Sequence, residues 1–254
     1  MKKVQQFRVA EYKWLNDSSY VITLQSDLPV ESIAPGNFAE VEVPQASDVF
    51  LRRPLSVLDV DHERRTLSFY VKILGKGTRR MGSYPVGEPV SVIYPLGNAF
   101  TEKENAHVLI VGGGSGIAPF ILLARALKSK GTNITFLFGA RNKKDIVLSE
   151  AFSEYGDILV TTEDGSMGEQ GLVTDHSVFK GDMPFDQLYT CGPDPMMKAV
   201  ARIAKEKNLA CEVSLENMMA CGFGACLCCV TETTTGNRCV CTEGPVFNMN
   251  ELVW

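Results

Sequence analysis

His107-Val108-Leu109-Ile110-Val111-Gly112-Gly113-Gly114-Ser115-Gly116-Ile117-Ala118-Pro119 decides the fold of this chain. Its first five residues are an apolar run of strand length. A glycine-rich turn follows, and the helical pattern Ala118-Pro119-Phe120-Ile121-Leu122-Leu123-Ala124-Arg125-Ala126-Leu127 comes after it. Glycine lets a backbone approach a pyrophosphate closely, and a helix N-terminus favours negative charge there. Gly112, Gly113, Gly114, Ser115 and Gly116 are therefore candidate nucleotide contacts. The turn departs from G-x-G-x-x-G, because Pro119 holds the final position. A tight strand-to-helix turn with no ligand would use the same residue types.

Working outward towards the C-terminus, apolar runs recur at Ile134–Phe138, Asp157–Thr161 and Phe185–Thr190, and a helical pattern spans Pro195 to Lys207. Alternating strands and helices predict a Rossmann-like parallel α/β domain over residues 103–214, doubly wound. Ligands of such sheets bind beyond the carboxyl ends of the strands, so the loop Cys191-Gly192-Pro193-Asp194-Pro195 is expected to face the nucleotide. Cys191 has two readings, a buried small residue or part of the lining near the nicotinamide. Arg141-Asn142-Lys143-Lys144 follows the second strand, where cations could meet a 2′-phosphate. A solvated turn is the plainer reading, as it is for Glu163-Asp164-Gly165-Ser166-Met167-Gly168.

Towards the N-terminus the rhythm changes. Tyr20–Leu24, Phe38–Val43, Leu67–Ile73 and Pro89–Tyr94 are short runs, several alternating apolar with polar, broken by turn residues. Half-buried strands alternate in this way, and residues 1–102 are expected to form an antiparallel β-barrel. Residues 215–254 form a small Cys-rich module.

Composition removes several classes of function. The chain has 254 residues, 45% apolar and 22% charged, with a net charge of -5. No basic stripe suits nucleic acid, and no window approaches the run of about 18 apolar residues that spans a bilayer. The N-terminus has no signal-like apolar core, so a soluble, cytoplasmic protein is expected. His62, His107 and His176 are scattered, and none has a partner that suggests acid–base catalysis; His107 reads as a packed or capping residue.

Six of the eight cysteines fall within the last 34 residues. Without a secretory signal such a cluster reads as a metal site before it reads as disulfides. Cys221, Cys226 and Cys229 have the C-x4-C-x2-C spacing of plant-type [2Fe-2S] loops, with a distant fourth cysteine. Gly222 and Gly224 permit the tight path of such a loop. Cys228 could replace Cys229, but that changes the second spacing from x2 to x1; Cys239 could replace Cys241, and the context Cys241-Thr242-Glu243-Gly244-Pro245 favours Cys241. A tetrahedral zinc module is the reading from another class, although Cys239-Val240-Cys241 is too tight for the usual paired zinc ligands.

The barrel segment carries Arg53-Pro54-Leu55-Ser56, then Tyr70-Val71-Lys72, Gly75-Lys76-Gly77-Thr78 and Tyr94-Pro95-Leu96-Gly97-Asn98-Ala99-Phe100. An Arg fork suits a pyrophosphate, a strand-end Ser can hydrogen-bond a flavin ring edge, and a helix beginning near Thr78 would present N–H groups to phosphate. In this order the motifs resemble the ferredoxin-NADP reductase superfamily. Together with Met219-Ala220-Cys221-Gly222-Phe223-Gly224-Ala225-Cys226 and Val240-Cys241-Thr242-Glu243-Gly244-Pro245-Val246-Phe247, the whole chain resembles the electron-transfer subunits of class 1B dihydroorotate dehydrogenase. The resemblance implies one FAD held by Arg53 to Ser56, Tyr70 to Lys72, Gly77 and Thr78. It implies one [2Fe-2S] cluster on Cys221, Cys226, Cys229 and Cys241, with NAD+/NADH as co-substrate. It also implies an FMN-containing catalytic partner in a two-plus-two heterotetramer, serving pyrimidine (UMP) biosynthesis. The small subunit of an NADPH-dependent ferredoxin oxidoreductase or sulfide dehydrogenase is the redox alternative; its loop commonly has Asp in place of one Cys.

Overall fold

The computed structural model describes residues 2–44 and 48–254. The N-terminal part is one antiparallel sheet made from β1 (Lys3–Asn16), β2 (Ser19–Gln25), β3 (Phe38–Val41), β4 (Arg53–Ser56), β5 (Asp59–Asp61), β6 (Thr66–Lys72) and β7 (Pro89–Leu96), with helix α1 (Lys76–Met81) between the last two. The strand order β4-β3-β7-β1-β2-β6-β5 wraps as a half-barrel. Period-two alternation builds its core: Tyr20, Ile22 and Leu24 on β2 and Leu67, Phe69 and Val71 on β6 are fully buried.

β1 departs from that pattern. Val4 is 64% exposed whereas Gln5 is 4% exposed. The Gln5 amide is satisfied by donating to Ser26 Oγ (2.7 Å) and accepting from Tyr94 Oη (2.9 Å), so a polar residue occupies a core position at little cost.

The second sheet has the order β11-β10-β9-β8-β12-β13-β16. Its strands are β8 (His107–Gly113), β9 (Asn133–Ala140), β10 (Asp157–Thr162), β11 (Glu169–Gln170), β12 (Gln187–Cys191), β13 (Ala210–Ser214) and, from the C-terminal module, β16 (Val246–Asn248). β8 to β13 pair in parallel, and β16 adds antiparallel to β13 with Val213 opposite Phe247. Helices α2 (Phe120–Ser129), α3 (Ser149–Ser153) and α4 (Asp194–Glu206) cover the sheet. On β8, Val108 and Ile110 join the core of α2, while Leu109 and Val111 join the core of α4. Successive side chains of one central strand thus feed two opposite layers, which is why the run is apolar without alternation.

The module is completed by the hairpin β14 (Val230–Thr233) and β15 (Gly236–Cys239) and the short helix α5 (Val240–Glu243). It is clamped to the half-barrel through Asn98. Asn98 N–H donates to the Gly244 carbonyl at 2.6 Å, its Nδ2 donates to the Val246 carbonyl at 2.8 Å, and its Oδ1 accepts from Val246 N–H at 2.9 Å. Gly97 is needed beside this clamp, since a Cβ there would lie 2.4 Å from Pro245 Cδ. No helix among the described residues is long and apolar enough to cross a membrane.

Candidate functional site

A cleft of about 620 Å³ opens between the half-barrel, the glycine turn and the strand leading into the cysteine loop. Arg53, Pro54, Leu55, Ser56, Tyr70, Lys72, Gly77, Thr78 and Ser115 all line it, joined by Phe38, by Ser214 to Met219 and by Pro245. β4 supplies the first four, and antiparallel pairing sets Phe38 opposite Ser56. Val71 does not face the cleft; it is buried in the barrel core, on the other side of β6 from Tyr70 and Lys72. The period of two allows only two of these three residues to point one way.

Arg53 is held in place by its surroundings. Its Nη1 donates to the carbonyls of Leu51 (2.9 Å) and Arg52 (3.0 Å). The guanidinium lies so close to Gly77 that a Cβ there would be 2.5 Å from Nε. The helix after β6 starts at Lys76, two residues before the position expected from the sequence, with Gly75 as its N-cap. Thr78 is therefore inside the helix, and its hydroxyl reaches back to accept from the N–H groups of Leu74 (3.0 Å) and Gly75 (3.3 Å).

The glycine turn is a 3-10 segment, Gly114–Ile117, leading into α2. Gly114 has φ +57, with open space where a Cβ would be. Gly116 packs on the end of β12, where a Cβ would be 2.3 Å from the Cys191 carbonyl oxygen. Gly112 and Gly113 pair within the sheet, so only Ser115 of this set reaches the cleft lining. Cys191 itself is 1% exposed, and burial pushes its thiol well up. It is not part of the cleft lining, although its neighbour Ser214 is. His107 packs its ring on Phe185, with centroids 4.6 Å apart. Lys143 and the exposed 163–168 loop adjoin through Lys143 N–H and Ser166 Oγ at 2.8 Å.

The cysteine loop, residues 215–229, contains neither strand nor helix. Gly222 (φ +73), Gly224 (φ +86) and Leu227 (φ +57) give it its turns. Cys221 lies against Cys226, and Cys229 against Cys241. Burial raises the Cys221 thiol, but N–H groups of Phe223, Cys226 and Ala225 bonded to its sulfur outweigh that and bring it down to about 6. Cys241 N–H donates to Cys229 Sγ at 3.4 Å, and burial followed by Cys229 raises the Cys241 thiol. Cys229 and Cys241 are buried, and Cys226 and Cys228 are both exposed. Cys239 also lies near Cys229, which raises its thiol after desolvation does. Among the described residues no three Cys, His, Asp or Glu converge as a single-ion site does, whereas a [2Fe-2S] core spreads four thiolates over two irons. The donor set, all sulfur with amide N–H groups aimed at it, fits that core.

Two acids in this region carry no motif. Glu216 lines the cleft, and burial raises its carboxyl even though cleft solvent reaches it. Glu40, on β3, is 0% exposed and neither of its carboxylate oxygens has a hydrogen-bond partner among the described residues. Burial pushes its carboxyl up to about 7, with Arg52 opposing and Cys221 adding to the rise.

The family of the chain follows from comparison with known proteins. Residues 216–253 match the family model of the iron-sulfur cluster binding domain of dihydroorotate dehydrogenase B, and residues 110–202 match an oxidoreductase NAD-binding domain. The dihydroorotate dehydrogenase B (NAD(+)) electron transfer subunit of Shouchella clausii is 35% identical over 259 residues, covering 99% of each chain. This chain belongs to that family. The same subunit from a Geobacillus species is 36% identical over all of both chains. A solved structure described as NADH-dependent reduced ferredoxin-NADP oxidoreductase superposes with a TM-score of 0.88 at 31% identity, covering 98% of this chain and 90% of that one. The ferredoxin reductase of carbazole 1,9a-dioxygenase, at 20% identity and a TM-score of 0.71, shares the fold. The family member described here is thus an oxidoreductase subunit of ferredoxin-reductase-like fold, with sites for FAD, a [2Fe-2S] cluster and NAD.

Three side chains join the two sites. Phe38, Leu215 and Met219 line the cleft and also belong to the apolar core that contains Cys229 and Cys241. The cleft lining and two of the cysteines, Cys229 and Cys241, thus share one apolar core.

Proposed function

We propose that this subunit carries electrons between a dihydroorotate-oxidising, FMN-containing partner and NAD+, by way of FAD in the cleft and a [2Fe-2S] cluster on Cys221, Cys226, Cys229 and Cys241. The observation that carries this reading is that Phe38, Leu215 and Met219 line the cleft and also belong to the apolar core that holds Cys229 and Cys241. Nicotinamide exchanges hydride, an iron-sulfur cluster exchanges single electrons, and a flavin between them does both.

The chain's own residues position and insulate. Arg53, fixed by the Leu51 and Arg52 carbonyls, would hold the flavin pyrophosphate, with Gly77 giving the fork room. Ser56 would hydrogen-bond the ring edge, while Tyr70, Lys72 and Thr78 would contact the remainder. Ser115 and the glycines behind it would take the nucleotide phosphates. The four thiolates would ligate iron, with Cys228 and Cys239 extra to the C-x4-C-x2-C pattern and its distant fourth cysteine. The working units of this arrangement are residues 1–102, 103–214 and 215–254.

The cysteine loop that holds exposed Cys226 also exposes Met218 (85%), Phe223 (55%) and Leu227 (63%). Exposed apolar side chains grouped in this way mark a contact surface, and the catalytic partner is the occupant this reading assigns, in a two-plus-two heterotetramer in the cytoplasm. Pyrimidine (UMP) biosynthesis is the process served. The ferredoxin-NADP oxidoreductase alternative draws on the solved structure at 31% identity and on the cations Arg141, Lys143 and Lys144; four cysteines at the cluster favour the first reading.

Co-expression with the catalytic subunit tests it. Dihydroorotate-dependent NAD+ reduction is expected, and Cys226→Ser is expected to abolish it while FAD remains bound. Unimpaired activity in that variant would refute the route.

A further inference from the structure

We propose that Glu40 sets the redox potential of the metal group held by the cysteine loop, as a buried charge at the seam between the half-barrel and the C-terminal module. This rests on the ligation proposed above. β3 turns two side chains away from the barrel core: Ala39 and Val41 face inward, Phe38 enters the wall of the cleft, and Glu40 meets the cysteine loop. Across the sheet Glu40 is opposite Pro54 of the flavin motif. On its outer side a Cβ added to Gly222 would lie 2.7 Å from Glu40 Cγ and 3.3 Å from its Oε1. Gly222 is covalently next to Cys221, so this carboxylate lies between the flavin cleft and the first thiolate of the loop.

A fully buried carboxylate with two unpartnered oxygens is costly. Packing does not require it, because an amide or an aliphatic side chain of similar size would fill the same space. Arg52, Arg53 and Cys221 are the charged or ionisable groups that act on it. The Arg52 guanidinium bonds Ser91, with Nη1 2.7 Å from its carbonyl and Nη2 2.9 Å from its Oγ, and it reaches only the backbone carbonyl of Glu40, at 3.4 Å. The two arginines favour the charged carboxylate without neutralising it by contact, and Cys221 opposes it. The same repulsion acts on any electron added at the loop, since like charges in a low local dielectric interact strongly. Net charge around a cluster is one of the determinants of its potential. The step concerned is the addition of one electron to the metal group, with no covalent bond formed or broken; the repulsion that disfavours it also raises the affinity of the Glu40 carboxyl for a proton, so the charge effect is largest above pH 8. The carboxylate disfavours the reduced state and lowers the potential.

The test is an anaerobic redox titration of the co-purified complex, with dithionite as reductant, above pH 8. The iron-sulfur signal is followed by electron paramagnetic resonance in wild type, Glu40→Gln, Glu40→Leu and Glu40→Asp. Both neutral variants are expected to shift the midpoint potential positive, and Glu40→Asp to stay at the wild-type value, with iron and FAD content equal throughout. A Glu40→Gln protein that holds its iron yet keeps the wild-type potential would overturn the proposal, as would a Glu40→Asp shift as large as that of Glu40→Gln. If Glu40→Gln loses iron, Glu40→Leu decides by the same criterion. Wild-type complex without iron would instead refute the underlying ligation, so the two failures are distinguishable.

Discussion

The cleft and the cysteine loop meet in one apolar core, yet they are built by different means. The cleft is formed by strands. Arg53 to Ser56 and Tyr70 with Lys72 take their directions from sheet register, and the register is fixed by a barrel core that is complete without any ligand. Residues 215–229 have no ladder and no helix, and left-handed turns at Gly222 and Gly224 shape them. Burial raises the thiols of Cys239 and Cys241, whereas backbone amides lower that of Cys221. A pocket set by strands is ready before its cofactor arrives, whereas a loop of thiols draws its order from the metal it binds, because metal binding and folding share one free energy.

The sharpest way to break this contrast is to remove a buried ligand. Cys229→Ser is expected to lose essentially all bound iron and to raise amide hydrogen exchange in residues 215–243 by at least about tenfold, the mark of a local unit opening. FAD occupancy should persist. If exchange rises equally across β1 to β7, the two regions are not independent.

The complementary substitution is Arg53→Ala. Loss of charge-assisted hydrogen bonds worth about 1.5–3 kcal/mol weakens FAD binding by roughly 10- to 100-fold, read by fluorescence titration of the apoprotein. Iron content should not change. Equal flavin affinity in the variant would remove Arg53 from the site.

Glu40 tests the seam between the regions through pH. Its carboxyl is pushed up to about 7 in the folded chain, above its ordinary value. The folded state therefore keeps a proton that the unfolded chain gives up. The associated stability is full below the ordinary carboxylate range and is lost as pH rises through 7. Glu40→Gln should accordingly be more stable than wild type at pH 8, by about 1–3 kcal/mol, the cost of a buried unsatisfied group. Near pH 4.5 the difference should vanish. A thermal denaturation series in which the difference is the same at both pH values would contradict this.

The smallest effect is expected from Gly77→Ala. Its methyl would come within 2.5 Å of the Arg53 guanidinium, which is the movable end of a side chain. FAD binding should weaken only a few-fold, with iron and cluster spectra unchanged.

The sequence conveyed the cleft better than the seam. Alternation at Tyr20–Leu24 and Leu67–Ile73 and the apolar run into Gly112 each report a local rule, and the corresponding elements lie where those rules place them. β1 hid its strand because Gln5 is inside and Val4 outside. The start of α1 was misplaced because Thr78 caps from within the helix instead of preceding it. Glu40 and Glu216 had no local signature, since a glutamate becomes unusual only when the fold buries it or aims it into a cleft. The pairing of β16 with β13 joins residues 212–214 to 246–248, far apart along the chain, and no periodicity reports such a contact.

The central claim is that iron on the four thiolates stands close enough to the flavin to exchange electrons with it. Anaerobic addition of NADH to the purified subunit, followed by flavin absorbance and electron paramagnetic resonance together, tests this most directly. Flavin bleaching should be accompanied by a [2Fe-2S] signal approaching one per chain, and Cys226→Ser should bleach its flavin with no such signal. Full dihydroorotate-dependent turnover by a complex containing FAD but no iron would contradict the account.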